Sequence, residues 1–195
     1  TLTENRMQVR EILSGAGSVR VTRENKRDGF TFKEKPDGMN PESEELLSDI
    51  LFTAVLCNNA SLSGHDSSQE EGVGDPLELA LLEAGRGVGM EREELREKFP
   101  ELREEAFDSA TKMMATFHRN KDDCLVLVKG APEKVLAAST TRVTESGEEK
   151  LDESGRSEWT QKSDSLAEQG LRVLATARKT TKSERDNPYA DLTFL

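Results

Sequence analysis

Sulfur and imidazole are scarce in this chain: 195 residues carry two cysteines and two histidines. A disulfide framework or a zinc site needs more such side chains at ligand spacing, and His65 and His118 stand isolated, so both are excluded. Cys57 and Cys124 lie in apolar surroundings and read as free core thiols, as in a reducing compartment. No apolar run approaches the ~20 residues of a membrane span, and the N-terminus lacks the pattern of a signal peptide. Positive charge is also short. Twenty-seven Lys and Arg face 38 Asp and Glu, for a net charge of −11. A general affinity for nucleic acid or anionic lipid needs a basic face, and this balance argues against both. An anionic ligand would have to be held by a few placed cations. The reading is of a soluble cytosolic domain.

Catalytic signatures are missing too. There is no P-loop, no Gly-x-Ser-x-Gly elbow and no metal-spaced His/Cys cluster. "GRGVGMER", from Gly85 to Arg92, imitates a dinucleotide fingerprint but fails it: the third glycine falls at Gly89, and a helix precedes it instead of a strand. It reads as a helix exit. Nothing in the chain makes a self-contained catalytic site.

What is present is order under a heavy charge load, with 34% apolar and 33% charged residues. The length suits a single domain over residues 1–195 with a core of its own. Residues 1–13 read as a strand or a linker into one, and Val19 to Phe32 as a second strand with a turn at "ENKRDG". The strongest helix lies in residues 37–62. Asn40 can cap it, Pro41 fits its first turn, and Leu46, Leu47, Ile50, Leu51, Ala54 and Cys57 form one apolar stripe. Residues 63–74 make a polar loop. A second helix begins at "GDPLELALL", with Asp75 at the cap, Pro76 next and Glu78 at the third helical position, and Gly85 or Gly87 ends it. "MEREELREKFPELREEAF" reads as a short charged helix stopped near Pro100. A hairpin follows over residues 107–135, leading into a short helix at "GAPEKVLAAS". "RVTESGEEKL" reads as a surface excursion, residues 152–170 as a helix ended by Gly170, and "LRVLATARK" as a buried strand. Interleaved helices and hairpins predict an α+β fold with a mainly antiparallel, twisted sheet flanked by helices.

The hairpin sets a puzzle. Lys112 and Lys129 come near the outer ends of its two strands, across from each other or one position apart. Like charges opposite one another destabilise a strand pair, and a one-residue slip would separate them onto two faces. Either they are solvated surface lysines or an acceptor-rich ligand offsets the repulsion. Lys129 runs into "GAPE": Gly130 permits close approach to the backbone, and a strand ending at a helix start resembles anion-binding geometry. Phe107, beside Asp108, is either core or a stacking platform. Arg172 opens an apolar strand, where an arginine needs a partner or a way to water.

Taken in order, "TLTENRM", "LCNNA", "GDPLELALL", "FDSATKMM", "VKGAPEKVL", "GLRVLATAR" and "DLTFL" resemble the cytoplasmic nucleotide-binding domain of the P-type cation-transporting ATPases. The likeness covers essentially the whole chain, and "KGAPE" with the Phe-x-Ser-x-x-Lys-x-Met-like run is its strongest pair. It is closer to the calcium and sodium/potassium branch than to the heavy-metal pumps, whose His-Pro pair is absent. The resemblance implies that Thr1 is the second threonine of Asp-Lys-Thr-Gly-Thr-Leu-Thr, with the phosphorylated aspartate upstream. It also makes residues 1–8 and 188–195 hinge strands toward an absent phosphorylation domain. It implies ATP as ligand, as Mg–ATP in the intact pump, and the phosphorylation and actuator domains as partners. The fragment itself would be monomeric and not catalytic, part of the cytoplasmic side of a membrane protein.

By the same resemblance, Phe107 stacks on adenine, Lys129 lies near adenine, and Lys112 lies toward the ribose and phosphates. Glu78 faces the adenine amino group, Arg172 reaches the phosphates, and Gly130 permits close approach of the nucleotide. Leu77 and Ser109 depart from the pattern, standing where the family usually has threonine and the calcium branch often has arginine. They leave open an alternative, an interaction module that keeps the fold without the ligand.

Overall fold

The computed structural model describes residues 7–23, 30–33, 41–62 and 72–195. The expected Asn40 cap, the turn at 24–29, residues 1–6 of the first hinge segment and residues 63–71 of the polar loop lie outside them. The chain divides into two compact units, Thr1–Glu97 and Lys98–Leu195.

In the first unit, β1 (Glu11–Ser14), β2 (Gly17–Arg23) and β3 (Phe30–Lys33) form an antiparallel sheet. Helix α1 (Pro41–Leu56) buries the predicted stripe, with Leu46, Leu51 and Ala54 inside and Cys57 buried just past its end. Leu51 joins Ile12, Val21 and Ala84 in one cluster, with Val9, Leu47, Ile50 and Met90 packed around it. The helix stops before the predicted residue 62. Ser61–Leu62 (β4) instead pairs with Gly72–Val73 (β5). Asn58 marks the change: its Nδ2 donates to the Glu78 carbonyl at 3.0 Å and its Oδ1 accepts from Ala60 N–H at 2.8 Å. A buried amide with its donors and acceptor engaged avoids the cost of an unsatisfied polar group.

Helix α2 (Pro76–Arg86) starts as its sequence dictates. Asp75 Oδ1 accepts from Leu77 N–H at 2.8 Å and Pro76 occupies the first turn, where no N–H is missed. It ends at Gly87, whose N–H donates to the Glu83 carbonyl at 3.1 Å. Gly85 has another role. It lies buried inside the helix, where an added Cβ would strike Val55 Cγ2 of α1. Helix α3 (Arg92–Lys98) follows.

The second unit is built on a seven-stranded sheet. In chain order its elements are β6 (Glu101–Asp108), β7 (Met113–Asn120), β8 (Asp123–Gly130), α4 (Pro132–Ala138), β9 (Ser139–Thr144), β10 (Gly147–Lys150), α5 (Glu153–Glu168), β11 (Ala175–Thr181) and β12 (Leu192–Phe194). The spatial order is β10-β9-β12-β11-β8-β7-β6, antiparallel except for the β12–β9 pair. Across this sheet Ala115, Val128, Ala177 and Phe194 stand in one row, and Arg103, Phe117, Val126 and Lys179 in another. Residues opposite one another share a face. On this face α5 packs, with the Trp159 and Phe194 rings 5.1 Å apart at 55°, and the Arg103 guanidinium lies 4.6 Å over the Phe117 ring. The α+β, mainly antiparallel architecture is the one the sequence predicts.

Further elements differ from the sequence reading. The charged helix stops before Pro100 as expected, but residues 101–108, for which the sequence offered no element of their own, form edge strand β6. Pro100 blocks helix continuation, its carbonyl accepts from Arg119 N–H at 2.8 Å, and the ladder then begins. The excursion at 142–151 lies in hairpin β9–β10, which belongs to the main sheet. The strand expected from Leu171 begins only at Ala175.

Close packing at Gly85 yields a test. Alanine has the better helix propensity by about 1 kcal/mol, yet a methyl there overpacks the α1–α2 contact at a cost of about 1–3 kcal/mol. Gly85→Ala should therefore leave stability unchanged or lowered, by up to about 2 kcal/mol in urea unfolding. A clear gain in stability would show that the contact yields freely.

Candidate functional site

The β7–β8 register answers the lysine puzzle. Met114 stands opposite Lys129 and Met113 opposite Gly130, with the hairpin reversing at Lys121 and Asp122. Lys112 is therefore two positions along from the residue that faces Lys129, further than the sequence expectation. It lies outside the ladder with φ +56°. The row continues sideways. Thr176 of β11 pairs with Lys129 on one flank. On the other, β6 is bulged between Glu105 and Asp108, so that Ala106 and Phe107 together face the single residue Met114. A bulge re-aims side chains and recurs beside functional sites. Here it carries Phe107, which is 61% exposed. Lys129, two strands away, is 5% exposed and Met114 1%. The outcome is an exposed ring and a buried ammonium in one transverse row of the sheet.

Lys112 owes its position to the turn before β7. Asp108 accepts from Ala110 N–H at 3.2 Å and Thr111 N–H at 3.1 Å, and its carbonyl accepts from Lys112 N–H at 2.7 Å. These backbone donors, Ala110 first, hold the Asp108 carboxyl below its ordinary pKa. Beyond the turn, the Lys112 carbonyl accepts from Ala131 N–H at 3.0 Å. An added Cβ on Gly130 would sit 2.5 Å from that carbonyl oxygen and 2.7 Å from Met113 Cγ. The missing side chain at Gly130 is required first by the chain's own backbone. Lys112 Nζ lies 3.2 Å from Glu133 Oε1, with both side chains about half exposed. Its charge is thus answered by a carboxylate from the first turn of α4.

Arg172 is exposed and lies in the segment before β11, three residues upstream of Ala175, which pairs with Gly130. Its loop thus leaves the sheet at the end where Lys112 and Gly130 stand, and an exposed position gives the guanidinium its way to water. Ser109 is exposed within the Asp108 turn. Glu78, in the first unit, is a half-buried first-turn residue of α2 whose carbonyl holds Asn58, and Leu77 beside it donates its N–H to the Asp75 cap. The α4 start offers less to an anion than the sequence suggested. Ala131 provides no side-chain cap, and its N–H is taken by Lys112.

Two residues of this region carried no role in the sequence reading. Asp108 followed by three small polar or apolar residues is an Asx-turn signal. Glu133 is a first-turn acid, placed where the helix dipole favours it. Neither pattern names Lys112 as a neighbour; only the β7–β8 register does.

A family model of the P-type ATPase cytoplasmic domain N matches residues 46–195. Over its full length the chain is 34% identical to a calcium-transporting ATPase of Bacillus subtilis, of which it spans 22%. It is 31% identical, over 93% of its length, to cation-transporting ATPase pma1 of Synechocystis, spanning 20% of that protein. It is 33% identical over its full length to calcium-transporting ATPase 1 of Saccharomyces cerevisiae, spanning 21%. With its antiparallel sheet, bulged edge and Lys-Gly-Ala-Pro-Glu corner, the chain belongs to the family of P-type ATPase N domains. It covers about a fifth of the length of these relatives.

The Asp108 turn sets a pH dependence. A carboxyl held below its ordinary pKa contributes stability that is present above about pH 4 and lost as pH falls through the folded-state value. Asp108→Asn should remove that part of the acid sensitivity and loosen the turn, seen as faster amide exchange at Ala110 and Thr111. Gly130→Ala should disturb the same turn from its other side, with amide shifts running from Asp108 to Met113. A variant spectrum changed only at residues 129–131 would disconnect Gly130 from Lys112.

Proposed function

We propose that this chain binds ATP by its adenosine end and, within a cation-transporting P-type ATPase, presents the triphosphate to a phosphorylatable aspartate outside the chain. The observation that carries this reading is Phe107. Among the exposed large hydrophobic side chains of the described residues it is the one ring, and it sits in a bulge one strand from Met114 and two from Lys129. An exposed ring costs solvation that a stacked base recovers, about 1–3 kcal/mol per base.

In this reading adenine lies on Phe107, with Lys129 near the base in the ladder. Lys112 and Arg172, at the end where the strands leave the sheet, face the ribose and phosphates. Gly130 keeps the backbone low at that corner. Among the described residues no three His, Cys, Asp or Glu side chains gather as a metal site. Magnesium accompanying the triphosphate would be held chiefly by phosphate oxygens and water, as suits an ion that keeps much of its hydration. The chain's partners in this reading are ATP and the phosphorylation and actuator domains of the same pump, and its place is the cytoplasmic side of the membrane. The names of the relatives, calcium- and cation-transporting ATPases, support this assignment.

The test is an amide-resolved NMR titration with ATP, AMP and GTP, repeated on Phe107→Ala. ATP and AMP should give saturable shifts around Phe107, Met114, Lys129 and Gly130, and GTP weaker ones. Phe107→Ala should weaken ATP binding roughly five- to a hundred-and-fifty-fold, the equivalent of the stacking energy. Lys112→Ala and Lys129→Ala should each raise the Kd as well. No shifts at millimolar ATP would turn the assignment toward an interaction module without a nucleotide.

A further inference from the structure

The carboxylate that meets Lys112 belongs to Glu133, in the first turn of α4. Its pKa is held low first by a hydrogen bond from its own backbone N–H at the start of α4, and then by Lys112. Glu133 Oε1 is 3.2 Å from Lys112 Nζ. An ammonium at hydrogen-bond distance from a carboxylate oxygen is the donor that a phosphate oxygen would seek. The chain supplies its own anion there. The Ala131 N–H is already committed to the Lys112 carbonyl, and the Lys112 ammonium to Glu133.

Resting on the nucleotide reading above, we infer that Glu133 is an internal stand-in for phosphate, which ATP must displace from Lys112 on binding. Three features favour an exchange over a fixed structural pair. Both side chains are about half exposed, at 53% and 56%, so the pair is solvated and cheap to open. Lys112 stands on a turn outside the β7–β8 ladder, where its side chain can swing without breaking strand pairing. Glu133 is carried on the first turn of α4, where the helix dipole favours its charge whether or not Lys112 is beside it. Glu133 is thus a positioning residue: it holds Lys112 beside α4, sets back the affinity for phosphates, and leaves the adenine contact untouched.

The distinguishing property is dependence on phosphate number. Calorimetric or NMR titrations would compare the wild-type chain with Glu133→Gln, a substitution that keeps shape and removes charge, using adenosine, AMP, ADP and ATP. Glu133→Gln should tighten ATP binding about two- to fivefold, the range set by an exposed ion pair. The gain should shrink through ADP and AMP and vanish with adenosine. Simple repulsion between Glu133 and the phosphates would produce a similar gradient, so the same comparison is made in a Lys112→Met background. There the exchange predicts that the gain largely disappears, whereas repulsion predicts that it persists. A persistent gain, or an unchanged ATP affinity in Glu133→Gln, overturns the stand-in role while leaving nucleotide binding in place. If neither wild type nor variant binds adenosine or ATP, the nucleotide reading itself falls, and the stand-in role with it.

Discussion

The contact on which the second unit's candidate site turns is a backbone squeeze. Gly130 lies against the Lys112 carbonyl and Met113, closer than any side chain at position 130 would allow. Because that approach is open, Met113 pairs with Gly130 and the β7–β8 ladder closes in one register. From that register follow the placement of Lys129 opposite Met114, the expulsion of Lys112 into a left-handed turn, and the start of α4 beside Lys112. A shift of one residue would send every side chain of the hairpin to the opposite face. Phe117, Val126 and Val128, all fully buried, make such a shift prohibitive. The hydrophobic rows and the glycine thus fix the same alignment independently.

Electrostatics then acts locally. With a net charge of −11, the overall field repels a nucleotide, and attraction must come from a few cations at close range. The two lysines differ in kind. Lys129 is almost fully buried, where charge interactions are screened little. Lys112 is exposed, and its interaction with any anion is softened by water and salt. An acidic chain can hold an anionic ligand in this way without becoming a general anion binder, since only a ligand that reaches from the row to the turn beyond it meets both.

Legibility in the sequence followed how local each cause is. The α2 start was readable because Asp75, Pro76 and the backbone N–H they govern lie within three residues. The α1 stripe was readable because burial imposes a helical period on Leu46, Leu47, Ile50, Leu51 and Ala54. Strand β6 was not readable. "ELREEAFD" is charged and helix-prone, and only pairing with β7 along an edge makes it a strand, so the signal lies in its partner. Arg172 was assigned to a strand because "LRVLATA" is uniformly apolar around it, yet pairing begins only where β8 reaches Ala175. The family resemblance selected Phe107, Lys112, Lys129 and Gly130 as residues, but Glu133 and Asp108 acquire meaning only from a register that no local pattern encodes.

The two ends of the proposed site also differ in how they are held. Lys129 belongs to a ladder paired on both sides, with β7 and with β11, so moving it means breaking strand hydrogen bonds in the middle of a sheet. Phe107 lies two strands further out, in a bulge at the edge, where its backbone is less constrained. Lys112 rests on a turn secured by hydrogen bonds to Asp108 that are open to solvent. Local opening of such a turn costs far less than opening a central ladder. On the proposed reading, a domain that keeps hold of a nucleotide while its phosphoryl group is transferred is served by that gradient, firm at Lys129 in the ladder and yielding at Lys112 on the turn. If both ends were equally rigid, the ligand would be gripped along its whole length, and uniform binding of that kind stabilises the bound state without helping transfer. The exposed Lys112–Glu133 pair lies at the yielding end, where exchanging one anion for another is least costly.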